Sequence, residues 1–173
     1  MPGKISRVFH YAIYKMQDKS LTKYYRWLGA NIGKDCSFIG SNISLSSEPY
    51  LITIGNRVRV SFDVTFVTHD GGTFVLREKH PNVSIYGKIK VGNNVFIGAR
   101  SIILPGVTIG SNCIIAAGSI VTKSVSDNTV VAGVPARPIC SIEEYYEKHK
   151  GQLMEIADFS FERKKEVLLE KLE

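Results

Sequence analysis

Residues 85–126 read IYGKIK VGNNVF IGARSI ILPGVT IGSNCI IAAGSI VTKSVS, seven consecutive groups of six. The first position of each group is Ile85, Val91, Ile97, Ile103, Ile109, Ile115 or Val121, always β-branched. The fifth position holds Ile89, Val95, Ser101, Val107, Cys113, Ser119 and Val125, all apolar or small. Glycine recurs at the second position as Gly92, Gly98 and Gly110. A fixed short period of this kind marks a repeat architecture in which each unit covers only its neighbours.

A six-residue period predicts a prism. Each group supplies one short strand and one turn, and three groups close one triangular coil. Coils stack at the ordinary strand spacing, ~4.8 Å. First positions point inward as ladders, fifth positions fill the corners, and Gly, Asn and Asp make the turns that β-branched residues resist. Alternating strands and helices are excluded, because no gap of helical length separates the repeats.

The phase continues upstream in IGNRVR, VSFDVT and FVTHDG, beginning at Ile54, Val60 and Phe66, and less regularly in IGKDCS from Ile32. The step from Phe66 to Ile85 exceeds three groups by a single position. A segment, 69–84, is therefore looped out of the prism, and it opens with His69-Asp70-Gly71-Gly72.

The flanks read as helical. In segment 1–28, Ile5, Val8, Phe9, Ala12, Ile13 and Met16 share one helical face, and the net charge is +5. A helix packed over the open end of the prism is preferred to a basic helix lying on a membrane. Segment 140–173 begins with Ser141-Ile142-Glu143-Glu144, a capping box. SFERKKEVLLEKLE then predicts a second helix, with Phe161, Leu168 and Leu172 on one face, capping the prism or tying subunits together. The central domain is 29–139.

Composition narrows the setting. The chain of 173 residues fits one domain. It has no apolar run of membrane-spanning length and no apolar leader, so a cytoplasmic protein is expected. Its three cysteines show no metal spacing. Residues 1–140 hold 16 basic and 7 acidic side chains, against 6 and 9 in the remainder. A basic body suits an anionic ligand. Nucleic acid is not expected, because no stacking-aromatic motif accompanies the scattered charge.

The stretch Ile32 to Pro138, together with the closing run VVAGVPARPI from Val130 to Ile139, resembles the hexapeptide-repeat acyltransferases, in particular the sugar and xenobiotic O-acetyltransferase branch. The resemblance implies a left-handed parallel β-helix around an all-β core, acetyl-CoA as acyl donor, no metal, and a homotrimer with active sites between subunits. The handedness comes from the resemblance alone, since the usual crossover rule would favour the opposite hand.

It also implies roles. His69 matches the family's catalytic histidine, a general base that takes the proton of an acceptor hydroxyl as it attacks a thioester. A turn residue in a polar loop is the plain alternative. Asn42 falls near the place of an asparagine that orients the histidine, with Ser41 one residue off; it equally suits a simple turn. Asp70 has no matched role and either binds acceptor hydroxyls or makes the turn. His80 is a surface-loop residue or an acceptor contact, and His10 and His149 read as structural. Ala99 and Ala117, one coil apart, match the backbone that meets the pantetheine arm, or fill a corner. Thr122 and Lys123 match residues near the nucleotide end, and Arg137 a cation at the adenosine phosphates.

The function so implied is acetyl transfer to a hydroxyl of a sugar or surface-glycan precursor. N-acylation of an amino-sugar nucleotide is the near variant, and a non-enzymatic β-helix scaffold the distant one. A zinc lyase on the same fold would require three histidine ligands, and the central body holds only His69 and His80.

Overall fold

The computed structural model describes residues 21–40 and 42–172, so the helical face expected at 5–16 lies outside the described residues. The chain enters with helix α1 (Leu21–Trp27). A first, irregular coil holds β1 (Asn31–Ile32) and β2 (Ser37–Phe38). The next holds β3 (Ile52–Ile54), β4 (Val58–Val60) and β5 (Thr65–Phe66). A hairpin ladder of β6 (His69–Asp70) and β7 (Ile85–Tyr86) interrupts the winding. Two regular coils follow, β8 (Ile89–Val91), β9 (Val95–Ile97) and β10 (Ile102–Ile103), then β11 (Thr108–Ile109), β12 (Cys113–Ile115) and β13 (Ile120–Val121). The repeat closes with β14 (Thr129–Gly133) and the antiparallel β15 (Ala136–Ser141).

Pairing sorts these strands onto three faces. The first carries β1, β3, β8 and β11, the second β2, β4, β9, β12, β14 and β15, and the third β5, β10 and β13. Every pair between coils is parallel. In the regular coils the register is one coil of three groups, as in Val95↔Cys113 and Ile102↔Ile120. Across the hairpin it widens, Phe66 pairing directly with Ile103 and Ile54 with Val91.

The six-residue rule follows from where side chains point. In Val95–Phe96–Ile97 the outer two are buried and the middle one faces out, the period-2 alternation of any strand. Fifth and first positions therefore both face the core, which is why both are apolar or small. Fourth positions turn the corner in the left-handed region: Asp35, Arg57, Asp63, Asn94, Arg100, Gly106, Asn112 and Gly118 all have positive φ. Second positions need glycine for a different reason. A Cβ at Gly92 would stand 2.7 Å from Gly110 C, and one at Gly98 would stand 2.5 Å from Ala117 N, in the coil stacked against it. Two fifth-position serines are wholly buried, and each donates its hydroxyl to Ala116 O (Ser101 at 3.1 Å, Ser119 at 2.6 Å).

α1 packs on the first coil. Tyr25 is buried, its ring 4.9 Å from Phe38, and its hydroxyl donates to Ile43 O at 2.8 Å. An end of the segment 1–28 thus covers the first coil.

One expectation needs correction. Ile85 is not part of an inner ladder: it is 53% exposed and pairs with Asp70 in the hairpin, so the third-face ladder runs from Phe66 straight to Ile103. The looped-out stretch returns in phase one group early, and the insertion absorbs that group. Gly71 and Gly72 lack positive φ, so the departure from the prism does not depend on glycine's backbone freedom.

Residues 143–173 form a separate compact unit. Helix α2 (Ile142–His149) starts directly after Ser141, where the capping box predicts, and α3 (Phe161–Lys171) is capped by Ser160, whose Oγ accepts from Arg163 N at 3.2 Å. Phe161 and Leu172 do not form a buried face; both are exposed, and Val167 is the buried residue of α3. No described helix is long and apolar enough to cross a membrane.

Candidate active site

The corner between the third and first faces is where the chain leaves the prism. Thr68 still belongs to it: its carbonyl accepts from Gly87 N at 2.8 Å, where the chain rejoins. Between those points His69 pairs with Tyr86 and Asp70 with Ile85, and residues 71–78 coil as a 3-10 turn. Asp70 caps that turn, its Oδ1 accepting from Gly72 N at 2.8 Å and its carbonyl accepting from Thr73 Oγ1 at 3.0 Å.

His69 does not stand alone. Its Nδ1 lies 2.9 Å from Glu48 Oε2. The same oxygen accepts from Thr68 Oγ1 at 2.6 Å. An ionised carboxylate can only accept, so Nδ1 carries a proton, and in the neutral imidazole the lone pair falls to Nε2. Glu48 is 14% exposed and His69 40%, a fixed carboxylate behind an accessible ring. Burial works against the charge on Glu48. Hydrogen bonds from Thr68, His69 and Ser47, with the attraction of the imidazole, outweigh it and hold the carboxyl below its ordinary range.

Glu48 is the residue that sequence reasoning missed. It sits in the preceding coil at the same corner, in the segment between Ser44 and Ile52. The bridge Ser44↔Thr65 sets the local register, and Glu48 stands at that same offset before His69. A uniform coil of three groups points to Leu51 instead. Within the chain Asn42 does not reach His69. It is exposed with φ 60 at the other corner, between the second and third faces, and no hydrogen bond joins it to His69 among the described residues.

His69 and Glu48 line a cavity of about 280 Å³ together with Asp70, Arg77, Ser84 and Tyr86. The Tyr86 ring stands 5.9 Å from the imidazole at a 56° tilt. His80 is exposed and not on this wall. The arrangement provides an imidazole oriented by a carboxylate beside a concavity of monosaccharide scale, a geometry suited to drawing a proton from a bound hydroxyl.

The other candidates divide between two places. Ala99 and Ala117 share the corner between the second and third faces, and Gly118 N donates to Ala99 O at 2.8 Å, so they occupy stacked coils. Lys123 and Arg137 line one cavity of about 310 Å³ at the last coil, also bounded by Ser124, Ser126 and Thr129. Thr122 is exposed beside it without lining it. A larger concavity, about 490 Å³, over Arg59, Phe96 and Ile114 on the second face holds none of these residues.

Comparison with known proteins supports the reading of the repeat. Residues 88–123 match the family model described as the hexapeptide repeat of succinyl-transferase. The chain is 48% identical over 151 residues to Protein CapG of Staphylococcus aureus, across 84% of this chain and 86% of that one. It is 41% identical over 117 residues to the galactoside O-acetyltransferase of Escherichia coli strain K12, across 67% of this chain and 57% of that longer protein. Among solved structures, the hexapeptide-repeat-containing acetyltransferase of Vibrio cholerae complexed with acetyl-CoA superposes with a TM-score of 0.53 at 26% identity, covering 69% of this chain and 75% of that one.

Proposed function

The chain belongs to the hexapeptide-repeat acetyltransferases, and within that family we propose that it moves the acetyl group of acetyl-CoA to a hydroxyl of a sugar or surface-glycan precursor, with His69 as general base. One observation carries the role of His69: its Nδ1 is held by a charged Glu48, leaving Nε2 as the acceptor of a proton at the edge of the cavity. The step balances simply. The acceptor oxygen gives its proton to Nε2 and attacks the thioester carbonyl, the C–S bond breaks, and the departing thiolate takes the proton back from the imidazolium. No covalent intermediate on the protein is required, because the thioester is already activated.

In this reading the pantetheine arm runs past Ala99 and Ala117, whose small side chains leave the backbone open to its amides. Lys123 and Arg137, with Thr122 beside them, meet the phosphates of the nucleotide end. The base and the alanines lie at different corners of one prism, so a site using both needs a second copy of the chain. That favours the homotrimer, a closed cyclic assembly. The winding is left-handed, as the resemblance implies, and the enzyme works in the cytoplasm, where its donor is made. Asn42 shares the alanines' corner, so it approaches His69 only from a second copy of the chain. Asp70 serves as the cap of the loop.

The test is acetyl-CoA turnover against neutral sugars, uronic acids, sugar phosphates and amino-sugar nucleotides, following thiol release and identifying the product by mass spectrometry. Acetylation on oxygen that disappears in His69→Ala supports the proposal. Acetylation on nitrogen replaces it with the amino-sugar variant, and donor binding without transfer to any acceptor overturns it.

A further inference from the structure

Arg77 lines the same cavity as His69, and the acyl-transfer step makes no use of it. Its guanidinium is held by the loop itself: Nε donates to Val83 O at 3.3 Å and Nη2 to Ser84 Oγ at 3.2 Å. Both acceptors are neutral. Among the described residues the ion pairs involve His69, Arg100, Lys150 and Arg163, and Arg77 is in none of them. The acids on the cavity wall have other duties, Glu48 toward Thr68 and His69, and Asp70 toward Gly72 N. The cavity therefore contains a positioned guanidinium that belongs to no ion pair among the described residues, on a wall shared with the carboxylates of Glu48 and Asp70.

We propose that the acceptor carries an anionic group, a carboxylate or a phosphate, which Arg77 binds while the sugar ring lies against Tyr86 and the reacting hydroxyl faces His69. This deepens the proposed function and rests on it. A guanidinium presents a planar fork that matches carboxylate and phosphate oxygens, and here two of its N–H groups are spent on fixing its orientation. A neutral hydroxyl is served equally well by Ser47 or Ser84 on the same wall. The excess of basic residues in 1–140 attracts an anionic acceptor as it does the donor. The competing explanation is mechanical, with Arg77 stapling residues 71–78 to 83–84.

The experiment compares kcat/KM of the full-length chain, at saturating acetyl-CoA, for three acceptors differing in one group: a methyl hexoside, the matching methyl uronoside and the matching hexose 1-phosphate. Each is taken in the gluco, galacto and N-acetylhexosamine series. The inference expects an anionic acceptor to be preferred by roughly 10-fold or more, the discrimination one charge-assisted hydrogen bond provides. The arm that gains distinguishes carboxylate from phosphate. Arg77→Gln lowers kcat/KM for the anionic acceptor by a larger factor than for the neutral one, so the preference disappears, and Arg77→Lys restores part of it. A neutral acceptor used as well as its anionic partners overturns the inference while leaving the acetyltransferase reading intact. Equal loss on all three acceptors in Arg77→Gln shows a loop staple and also overturns it. Failure to acetylate any acceptor overturns both readings together.

Discussion

Glu48 Oε2 stands 2.9 Å from His69 Nδ1, across two coils whose local register is set by the bridge Ser44↔Thr65. The carboxylate fixes both the tautomer and the tilt of the imidazole, and Thr68 fixes the carboxylate. In the proposed function the base therefore depends on a residue that does not itself touch the acceptor.

Replacing Glu48 by Gln keeps the shape, and a carbonyl oxygen at the same place still accepts from Thr68 and Nδ1, but the charge that stabilises the imidazolium formed on taking the proton is lost. We expect kcat to fall on the order of 10²-fold or more, with the KM for acetyl-CoA little changed. Steady-state kinetics with donor and acceptor varied separately checks this. A change confined to donor KM contradicts it.

The same pair predicts a pH effect on stability. The folded-state pKa of Glu48 is depressed, so its charge stabilises the fold above the ordinary carboxylate pKa, about 4.3, and this contribution is lost as pH falls through the lower folded value. Denaturant unfolding of the wild type and Glu48→Gln should differ most at neutral pH, and the difference should shrink in acid. A gap that widens on acidification reverses the assigned sign.

Legibility of the fold tracks the regularity of the repeat. From Ile89 to Val121 every inward position is readable, because strand alternation and a coil of three groups repeat without exception. Upstream the offsets lengthen, as in Ser44↔Thr65, Asn31↔Thr53 and Ser37↔Arg59, and there phase alone misleads. Counting groups back from His69 points to Leu51 and the resemblance to Asn42, yet Asn42 lies at another corner, whereas Glu48 is found only once the bridge Ser44↔Thr65 fixes the register. Ile85 fits the pattern letter for letter but faces outward, since a hairpin takes its backbone before the ladder can. His69 is legible because it stands where the pattern breaks. Arg77 carries no signal, as an arginine in a long loop has no periodicity against which to be noticed.

Glycines of the repeat and of the loop should respond oppositely to one added methyl. Gly92→Ala puts a Cβ 2.7 Å from Gly110 C and Ser111 Oγ, so the coils must separate, and a loss of roughly 1–3 kcal/mol is expected. Gly71→Ala meets nothing within 4 Å and needs no special φ, so stability is kept or raised, by roughly 0.4–1 kcal/mol at most. Thermal and denaturant unfolding of the two variants decides; destabilisation by Gly71→Ala would show that the loop needs glycine's freedom after all.

Ala117 is exposed on its corner, so a large side chain there leaves the core untouched. Ala117→Trp should raise the KM for acetyl-CoA by roughly tenfold or more with unchanged unfolding, as a bulky ring crosses the path of the donor. Unaltered donor kinetics would place the groove elsewhere.

The most direct test of the account compares His69→Ala with His80→Ala in single-turnover acetyl transfer, with acetyl-CoA affinity measured on the same samples. His69 lies on the cavity wall with its proton fixed by Glu48, and His80 lies outside it. Loss of a general base costs ~10²–10⁴-fold in rate, so His69→Ala should lose that much at unchanged donor affinity, and His80→Ala should stay near wild type. Wild-type turnover in His69→Ala, or a greater loss in His80→Ala, contradicts the assignment of the base.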